Sequence, residues 1–382
     1  MTIFDLPTLN PENALALAQA TIQAHPILAQ IYDDAFLVNL IRRRAAYDNL
    51  LLLRLVEPDD EMSAAYWDEI AGELQLLEPE GSVDAFRAKL RKHDGPSMDS
   101  ARTELFFAAL MKQLGARIVL EPEVGTRRCE FMAETTLQTW WEIKTPLDLP
   151  ELQRDAAVQS EVQRRLRSID QPYVLSLRAA NLTPQQVPDA VKQLKRELYA
   201  YYREGGRPPR VFDVNGLCVA IDSMTTRPKG YLGTMTGKPY VFENEQSAHV
   251  VRRIIAAADQ IPDEGGGIVV IDRSSSDWIH HHDIVDACFG EEQGAFHNGQ
   301  FINVRLPGGV FDDRSAARVS AVISYTRRWR EHGTLMTVMH NPSATIELPA
   351  GFLIYDGVRH TRRIPSGDGF RFVTTPDCED ED

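Results

Sequence analysis

The first 98 residues carry apolar side chains at helical spacing. Asn10 and Pro11 mark the start of the first helix, because Asn caps a helix well and proline fits its first turn. The apolar pattern predicts three further helices: about Asp34 to Leu55, Ala64 to Leu77, and Val83 to Lys92. The Gly- and Pro-containing segment Asp94–Asp99 is predicted to be a linker. Residues 1–98 are therefore predicted to form a helical N-terminal region.

From Ser100 the apolar spacing changes from helical to alternating and back. Ser100 is predicted to cap a helix that runs to Leu114, and Gly115 to end it. The following patterns predict three strands, a helix and a strand: Arg117–Glu121, Arg128–Ala133, Thr139–Lys144, Glu151–Ile169 and Tyr173–Arg178. A further helix is predicted from Pro184 to Arg203. Residues 99–206 thus show the order α-β-β-β-α-β and are predicted to form one domain.

Residues 207–375 carry a mixed α/β pattern. Runs of β-branched apolar residues predict four buried strands: Leu217–Ile221, Gly267–Ile271, Val319–Ser324 and Leu335–Val338. Helices are predicted at Glu245–Ala258 and Trp278–Cys288, and a long loop from Gly290 to Arg314. The pattern leaves open whether this half is a separate domain or extends the central sheet. Residues 376–382 form an acidic tail, and the fold class predicted for the whole chain is α/β.

The composition is that of an ordinary globular protein. Of 382 residues, 43% are hydrophobic and 25% charged, and no apolar run approaches the roughly 18–20 residues of a membrane span. The N-terminus lacks the basic and apolar segments of a secretory signal. The four cysteines are scattered without a Cys-x-x-Cys pair, which favours reduced thiols. We therefore expect a cytoplasmic protein that does not enter a membrane.

The net charge of −14 limits the choice of partner. Duplex-binding proteins usually show a basic footprint, because neutralising phosphates supplies much of their affinity. Part of the acid lies in patches that need not touch a substrate, such as the C-terminal tail. Short basic clusters occur, for example Arg327-Arg328 with Arg330, although each alone is more typical of a solvated surface. The charge distribution permits nucleic-acid binding but does not by itself favour it.

Three carboxylates and a lysine between residues 104 and 144 carry the candidate chemistry. Glu104 lies in the helical run, Glu130 in a strand-like run, and Glu142 and Lys144 bracket one residue of the next strand. Side chains two apart on a strand project from the same face, so Glu142 and Lys144 are expected side by side. Each residue alone has an ordinary structural explanation, for example an exposed strand face. The order of all four predicts a site for a divalent cation and an activated water.

This order and placement resemble the PD-(D/E)XK restriction-endonuclease-like family over roughly residues 100–180. In that family a core helix carries a Glu, the second core strand an Asp, and the third strand Glu/Asp-x-Lys. Glu104, Glu142 and Lys144 fall on those positions, and Glu130 falls where the family has Asp. The resemblance implies a mixed sheet within the αβββαβ core. The extra methylene of Glu130 displaces its carboxylate by about one bond length, which matters because Mg²⁺ favours near-ideal octahedral geometry.

The resemblance also implies roles for these residues. Glu130, Glu142 and the backbone carbonyl of Ile143 would hold Mg²⁺ or Mn²⁺, and Lys144 would orient or deprotonate a water. Glu104 would orient a metal-bound water or help to hold a second cation. Some family members add a Gln from the next helix, for which Gln159 is preferred here over Gln163, one turn further on.

The function implied is metal-dependent hydrolysis of nucleic acid, with DNA the expected partner. The N-terminal helices or the C-terminal half would contact a protein partner or supply specificity. A non-catalytic nuclease fold that serves as a binding or assembly module is the alternative. A third possibility places the activity in the C-terminal half, where Asp272 follows a predicted strand.

Overall fold

The chain divides into two compact units in a computed structural model. The main unit comprises residues 1–146 and 244–382, and the inserted unit comprises residues 147–243. The structure describes residues 11–42, 55, 61–92, 95–146, 158, 161–162, 165–166, 173–180, 182–183, 185–224, 231–232, 245–274, 276, 279–297, 300–305, 308–328, 333–349, 351–353, 358–366 and 369–375. These boundaries differ from the predicted divisions at 98/99 and 206/207, because the N-terminal helices and most of the C-terminal half belong to the same unit.

The N-terminal region is helical, as its apolar spacing predicts. Its described helices are α1 (Pro11–Gln23), α2 (Pro26–Ile31), α3 (Asp34–Arg42), α4 (Glu61–Leu76) and α5 (Ser82–Leu90), with a 3₁₀ turn at Glu78–Glu80. The predicted second helix is observed to Arg42, and most of its remainder lies outside the described residues. The apolar faces of these helices share one core with the central sheet, in which Trp67 and Trp141 are both buried. The N-terminal helices are therefore part of the main unit.

The helix that carries Glu104 is longer than predicted. Helix α6 spans Gly95–Gln113, so most of the segment predicted as a linker is helical. Gly and Pro at the start of α6 are compatible with a first turn, where the backbone N–H groups have no helical partner. Gly115 follows the helix in the left-handed region at φ +85°, which confirms the predicted end.

Within the described residues, eight strands form one mixed sheet. In sheet order they are β1 (Arg117–Leu120), β4 (Phe131–Glu134), β5 (Gln138–Lys144), β10 (Gly266–Asp272), β13 (Val319–Arg328), β14 (Gly333–His340), β15 (Val358–Ser366) and β16 (Gly369–Thr375). Strand β10 runs parallel to both of its neighbours, and all seven of its residues are buried. The continuous apolar run in β10 reflects this burial on both faces. The C-terminal half therefore extends the central sheet, which resolves the question that the sequence leaves open.

The two faces of this sheet are covered by different helices. Ile268 and Val270 of β10 belong to the core formed with the N-terminal helices and α6. Val269 and Ile271 belong to a second core, formed with helices α8 (Glu245–Ala258) and α9 (His281–Phe289). Alternate strand residues thus enter alternate cores, as the pleat of a strand requires. The bounds of α8 agree with the prediction, and α9 begins three residues later than predicted.

The inserted unit contains a strand that we expected in the central sheet. Its four-stranded sheet has the order β7 (Arg210–Val214), β8 (Leu217–Met224), β6 (Tyr173–Ala180) and β9 (Tyr231–Leu232), and helix α7 (Val187–Arg203) packs in its core. The strand predicted at Tyr173–Arg178 is therefore β6 of this sheet, and the position parallel to β5 is taken by β10. The contiguous αβββαβ domain expected for residues 99–206 is not formed in that way. Most of the predicted helix Glu151–Ile169 lies outside the described residues.

The remaining elements complete the description. The short strands β2 (Glu123–Val124) and β3 (Arg127–Arg128) form a hairpin before β4. The predicted loop Gly290–Arg314 instead contains the hairpin β11 (Glu292–His297) and β12 (Gln300–Arg305), followed by a short 3₁₀ turn. A helix capable of crossing a bilayer, in length and apolar character, is not found in the part of the chain that the structure describes.

Candidate functional site

One lysine from the N-terminal helices joins three acids of the main unit. The Lys89 ammonium on α5 lies 2.7 and 2.9 Å from the two carboxylate oxygens of Glu104 on α6. It also lies 2.9 Å from Glu121 Oε1, just after β1, and 2.9 Å from Glu130 Oε2, just before β4. Arg128 forms a second ion pair with Glu121. Since they share one ammonium group, the three carboxylates converge on one point.

Glu130 and Glu142 lie near each other beside the β4–β5 pair. Phe131 lies opposite Trp141 in this antiparallel pair, and the Glu130 backbone N–H also donates to the Trp141 carbonyl, at 3.1 Å, so the register is irregular at Glu130. Glu130 is close enough for its negative charge to act on Glu142. Neighbouring carboxylates repel each other, so the arrangement needs cations nearby. In the structure the nearby cations are the ammonium groups of Lys89 and Lys144.

Glu142 is buried among polar side chains. Its residue surface is 0% exposed, and the Lys144 ammonium donates to Glu142 Oε2 at 2.6 Å. The side-chain amide of Gln260, with its NH₂ facing the carboxylate, donates to Glu142 Oε2 at 2.8 Å and Oε1 at 3.2 Å. The Cys129 thiol lies beside the same carboxylate and donates to the Gln260 backbone carbonyl at 3.4 Å. Glu142 is thus held in position by a cation and a neutral amide.

The titration of the acids follows from burial and mutual repulsion. Burial raises the pKa of Glu142 to about 7, and the charge of Glu130 acts in the same direction although Lys144 opposes it. Burial also raises the pKa of Glu104 well above its usual range, again with a contribution from Glu130. Burial and the charge of Glu142 raise the pKa of the Cys129 thiol to about 12. Glu130 therefore influences both neighbouring acids, which shows that the three carboxylates form one electrostatic unit.

The basic partner of this unit is held in its charged form. Burial by itself lowers the pKa of Lys89, but the charges of Glu104 and Glu130 outweigh it and raise that pKa. For Glu121, burial acts to raise the pKa, and the hydrogen bonds from Lys89 and Arg128 outweigh it and lower that pKa. Lys89 therefore carries its charge throughout the physiological pH range.

The structure brings together four of the residues that the sequence singles out. Glu104, Glu130, Glu142 and Lys144 lie in one cluster of the main unit. The Ile143 side chain is buried in the core shared with the N-terminal helices, so only its backbone carbonyl is available as a ligand. Gln159 lies outside the described residues, and its predicted role stays a prediction.

Sequence reasoning missed the partners that complete the cluster. Lys89 and Gln260 lie far from Glu142 along the chain, and neither belongs to a motif that points to this site. Glu121 and Cys129 flank or end short strands, a position that sequence patterns assign equally to surface turns. A signal for Lys89 existed only in its spacing from apolar Phe86 and Leu90 on α5, which places it beside the buried face.

Asp272 is the last residue of β10, and its side chain projects from the opposite face of the sheet to that of Ile271. It is fully buried, and the Thr103 hydroxyl on α6 donates to Asp272 Oδ2 at 2.7 Å. The backbone N–H of Ser274 donates to Asp272 Oδ1 at 2.9 Å. Burial raises the pKa of Asp272 to about 6. These contacts connect the end of β10 to α6, which is a structural role.

The donor chemistry of the cluster fits a hard divalent cation. Carboxylate and carbonyl oxygens are the ligands that Mg²⁺ and Mn²⁺ prefer, and Mg²⁺ commonly uses one or two carboxylates while it keeps several waters. Glu130, Glu142 and the Ile143 carbonyl provide such a set. Over the described ranges, no group of three or more His, Cys, Asp or Glu side chains is arranged to hold a metal ion. A cation at this cluster would therefore have fewer than three such side chains as ligands.

Comparison with family models, with curated proteins and with solved structures finds no match for this chain. The case for its function accordingly rests on the cluster itself.

Proposed function

We propose that the chain is a divalent-metal-dependent hydrolase of nucleic-acid phosphodiesters, with DNA as the expected substrate. The observation that carries the proposal is the cluster in which buried Glu142 pairs with the Lys144 ammonium and the charge of Glu130 acts on Glu142. A fully buried acid beside a second carboxylate is costly to a fold unless the site uses it. Clusters of this kind, with perturbed pKa values, are typical of functional sites.

Each residue has a distinct role in this proposal. Glu130 and Glu142, with the Ile143 carbonyl, would bind Mg²⁺ or Mn²⁺. The bound cation would polarise a phosphoryl oxygen and make a water more acidic. Lys144, already 2.6 Å from Glu142, would orient the attacking water and offset the negative charge that builds on the phosphoryl group. Gln260 would keep Glu142 in its binding orientation.

The raised pKa of Glu142 is consistent with a ligand that exchanges a proton for a metal ion. With a pKa of about 7, this carboxyl is partly protonated at neutral pH when no divalent cation is present. A bound divalent cation would supply the charge that burial denies the carboxylate. Metal affinity is therefore expected to fall as pH decreases below 7, because protons then compete for Glu142.

The test is cleavage of single- and double-stranded DNA and RNA in the presence of Mg²⁺ or Mn²⁺. Glu142→Gln and Lys144→Met are each expected to reduce the cleavage rate by about 100-fold or more. Glu134→Gln is the matched control, because Glu134 lies at the end of the neighbouring strand β4 but forms a half-exposed ion pair with Arg117. Cleavage unchanged in Glu142→Gln and Lys144→Met would remove this site from the mechanism.

A second candidate function is a binding or assembly module without catalysis. The observation that favours it is the Lys89 ammonium, which satisfies Glu104 and Glu130 without a metal ion. Calorimetric titration with Mn²⁺ separates the two candidates. The hydrolase predicts saturable Mn²⁺ binding that is lost in Glu130→Ala. The binding or assembly module predicts no such Mn²⁺ binding.

A further inference from the structure

Lys89 occupies the position of a cation at the centre of an acidic cluster. An ammonium group has three N–H donors, and Lys89 directs its group at three carboxylates, those of Glu104, Glu121 and Glu130. All the contacts are between 2.7 and 2.9 Å, the range of charge-assisted hydrogen bonds. The side chain of Lys89 is 21% exposed, so its charge is largely shielded from water.

The acids around Lys89 come from three separate segments of the main unit. Glu104 is on α6, Glu121 follows β1, and Glu130 precedes β4, whereas Lys89 itself comes from α5 of the N-terminal region. Oxygen ligands that converge from several segments are what a protein uses to bind a hard cation. Here the positive charge at the point where the three carboxylates converge is the Lys89 ammonium of the chain itself.

The charges of the whole cluster leave room for one further cation. With all four carboxylates ionised, Glu104, Glu121, Glu130 and Glu142 would outnumber Lys89, Lys144 and Arg128 by one charge. Lys89 and Arg128 both pair with Glu121, whereas Lys144 pairs with Glu142. A divalent ion between Glu130 and Glu142 would meet the remaining negative charge, but a second one beside Glu104 would meet the Lys89 ammonium.

We infer that Lys89 is a built-in cation that takes the place of a second divalent ion and positions Glu104 and Glu130. This inference deepens the proposed function and rests on it only for the ion at Glu130 and Glu142. The wild-type chain then takes up one divalent ion. The N-terminal helices are part of the site, because α5 supplies the lysine. Lys89 is a positioning residue, since it acts through the two acids.

The experiment measures how many Mn²⁺ ions the full chain binds, by calorimetry and by electron paramagnetic resonance of the free ion. We expect one Mn²⁺ for the wild type, two for Lys89→Ala, and one for Lys89→Arg, which restores the charge. Lys112→Ala is the matched control, because Lys112 forms a comparably buried ion pair with Glu80 outside the cluster. It should bind as many ions as the wild type.

A second variant guards against loss of folding in Lys89→Ala. Lys89→Ala with Glu104→Gln removes one of the uncompensated acids and is expected to fold and to return to the wild-type stoichiometry. If Lys89→Ala is destabilised, Mn²⁺ should raise its thermal midpoint more than that of the wild type, since ions that bind only the folded state stabilise it. An unchanged stoichiometry in folded Lys89→Ala, or no greater rise of its midpoint with Mn²⁺, overturns the inference and leaves a simple buried ion pair.

The outcomes for the two proposals are separable. Absence of Mn²⁺ binding by the wild type, or Mn²⁺ binding by Glu142→Ala equal to that of the wild type, counts against the proposed function. The inference on Lys89 is judged by the gain of one ion in Lys89→Ala over the wild type, whatever number the wild type binds.

Discussion

Replacing Asp272 by Asn should remove a pH-dependent penalty on stability. Asp272 ends β10 with 0% of its surface exposed, and accepts hydrogen bonds from the Thr103 hydroxyl and the Ser274 backbone N–H. Burial, which outweighs these two bonds, raises its pKa from 3.8 to about 6. Asparagine has nearly the same shape and does not ionise, so the variant isolates the titration.

The magnitude follows from that shift. A difference of roughly two pKa units, at about 1.4 kcal/mol each, is worth about 3 kcal/mol. Because the folded state binds the proton more tightly than the unfolded state, the free energy of unfolding of the wild type falls as pH rises from about 4 to about 6. Above that window the wild type carries the full penalty. Asn offers one acceptor fewer, which costs about 1 kcal/mol at every pH. At pH 7 we therefore expect the variant to be more stable by about 2 kcal/mol.

The assay is urea unfolding between pH 4 and pH 8, followed by tryptophan fluorescence. All five tryptophans belong to the main unit, so the signal reports the unfolding of that unit alone. Asp263→Asn is a control, because the Arg318 and Arg127 partners lower the pKa of the Asp263 carboxyl, so its stability difference from the wild type should stay constant from pH 4 to pH 8 and have the opposite sign. A stability difference between wild type and Asp272→Asn that does not change with pH would refute the reasoning. Loss of nucleic-acid cleavage in a stable Asp272→Asn variant would instead support activity in the C-terminal half.

Two further predictions concern thiols and glycines. In the folded chain, Cys129 and Cys288 should react with a disulfide reagent at pH 8 far more slowly than the partly exposed Cys218, because burial raises the pKa of both thiols. Mass spectrometry of the labelled chain measures this difference. Rapid labelling of Cys129 would contradict its burial beside Glu142. Gly267→Ala should lower the free energy of unfolding by about 1–3 kcal/mol, since its Cβ would collide with the Arg318 carbonyl at the β10–β13 irregularity. Gly72→Ala, in the interior of α4 with open space around the new Cβ, should raise it by about 0.5–1 kcal/mol, and equal effects of the two changes would count against this packing.

The local parts of the site were open to prediction from sequence. Glu142 and Lys144 alternate with buried Ile143 on a strand whose apolar pattern is clear, so their common face follows from the pleat. The helix around Glu104 follows equally from its apolar spacing, although the pattern predicts a start at Ser100, five residues after the observed start at Gly95. Gly and Pro at residues 95 and 96 suggested a linker, yet both are tolerated in a first helical turn.

The main error is the prediction that the strand at Tyr173–Arg178 belongs to the central sheet, where β10 instead lies parallel to β5, and its cause is physical. Tyr173–Ala180 and Gly266–Asp272 are both short apolar runs, and periodicity cannot tell which of them pairs with a given neighbour. The pairing depends on which residues return to the main unit after the inserted unit, which begins at residue 147. Both runs are strands, as predicted, but they belong to different sheets.

The sequence by itself determined the helical N-terminal region, the strands β1, β4, β5, β10, β13 and β14 of the central sheet, and the local geometry of Glu142 and Lys144, because these depend on residues that are neighbours along the chain. Only the tertiary structure brought Lys89 of α5 and Gln260, which follows α8, to the acids. Such contacts join residues that no local pattern connects, since they arise from the packing of helices on opposite faces of the sheet. The charge balance of the site is therefore a property of the folded chain.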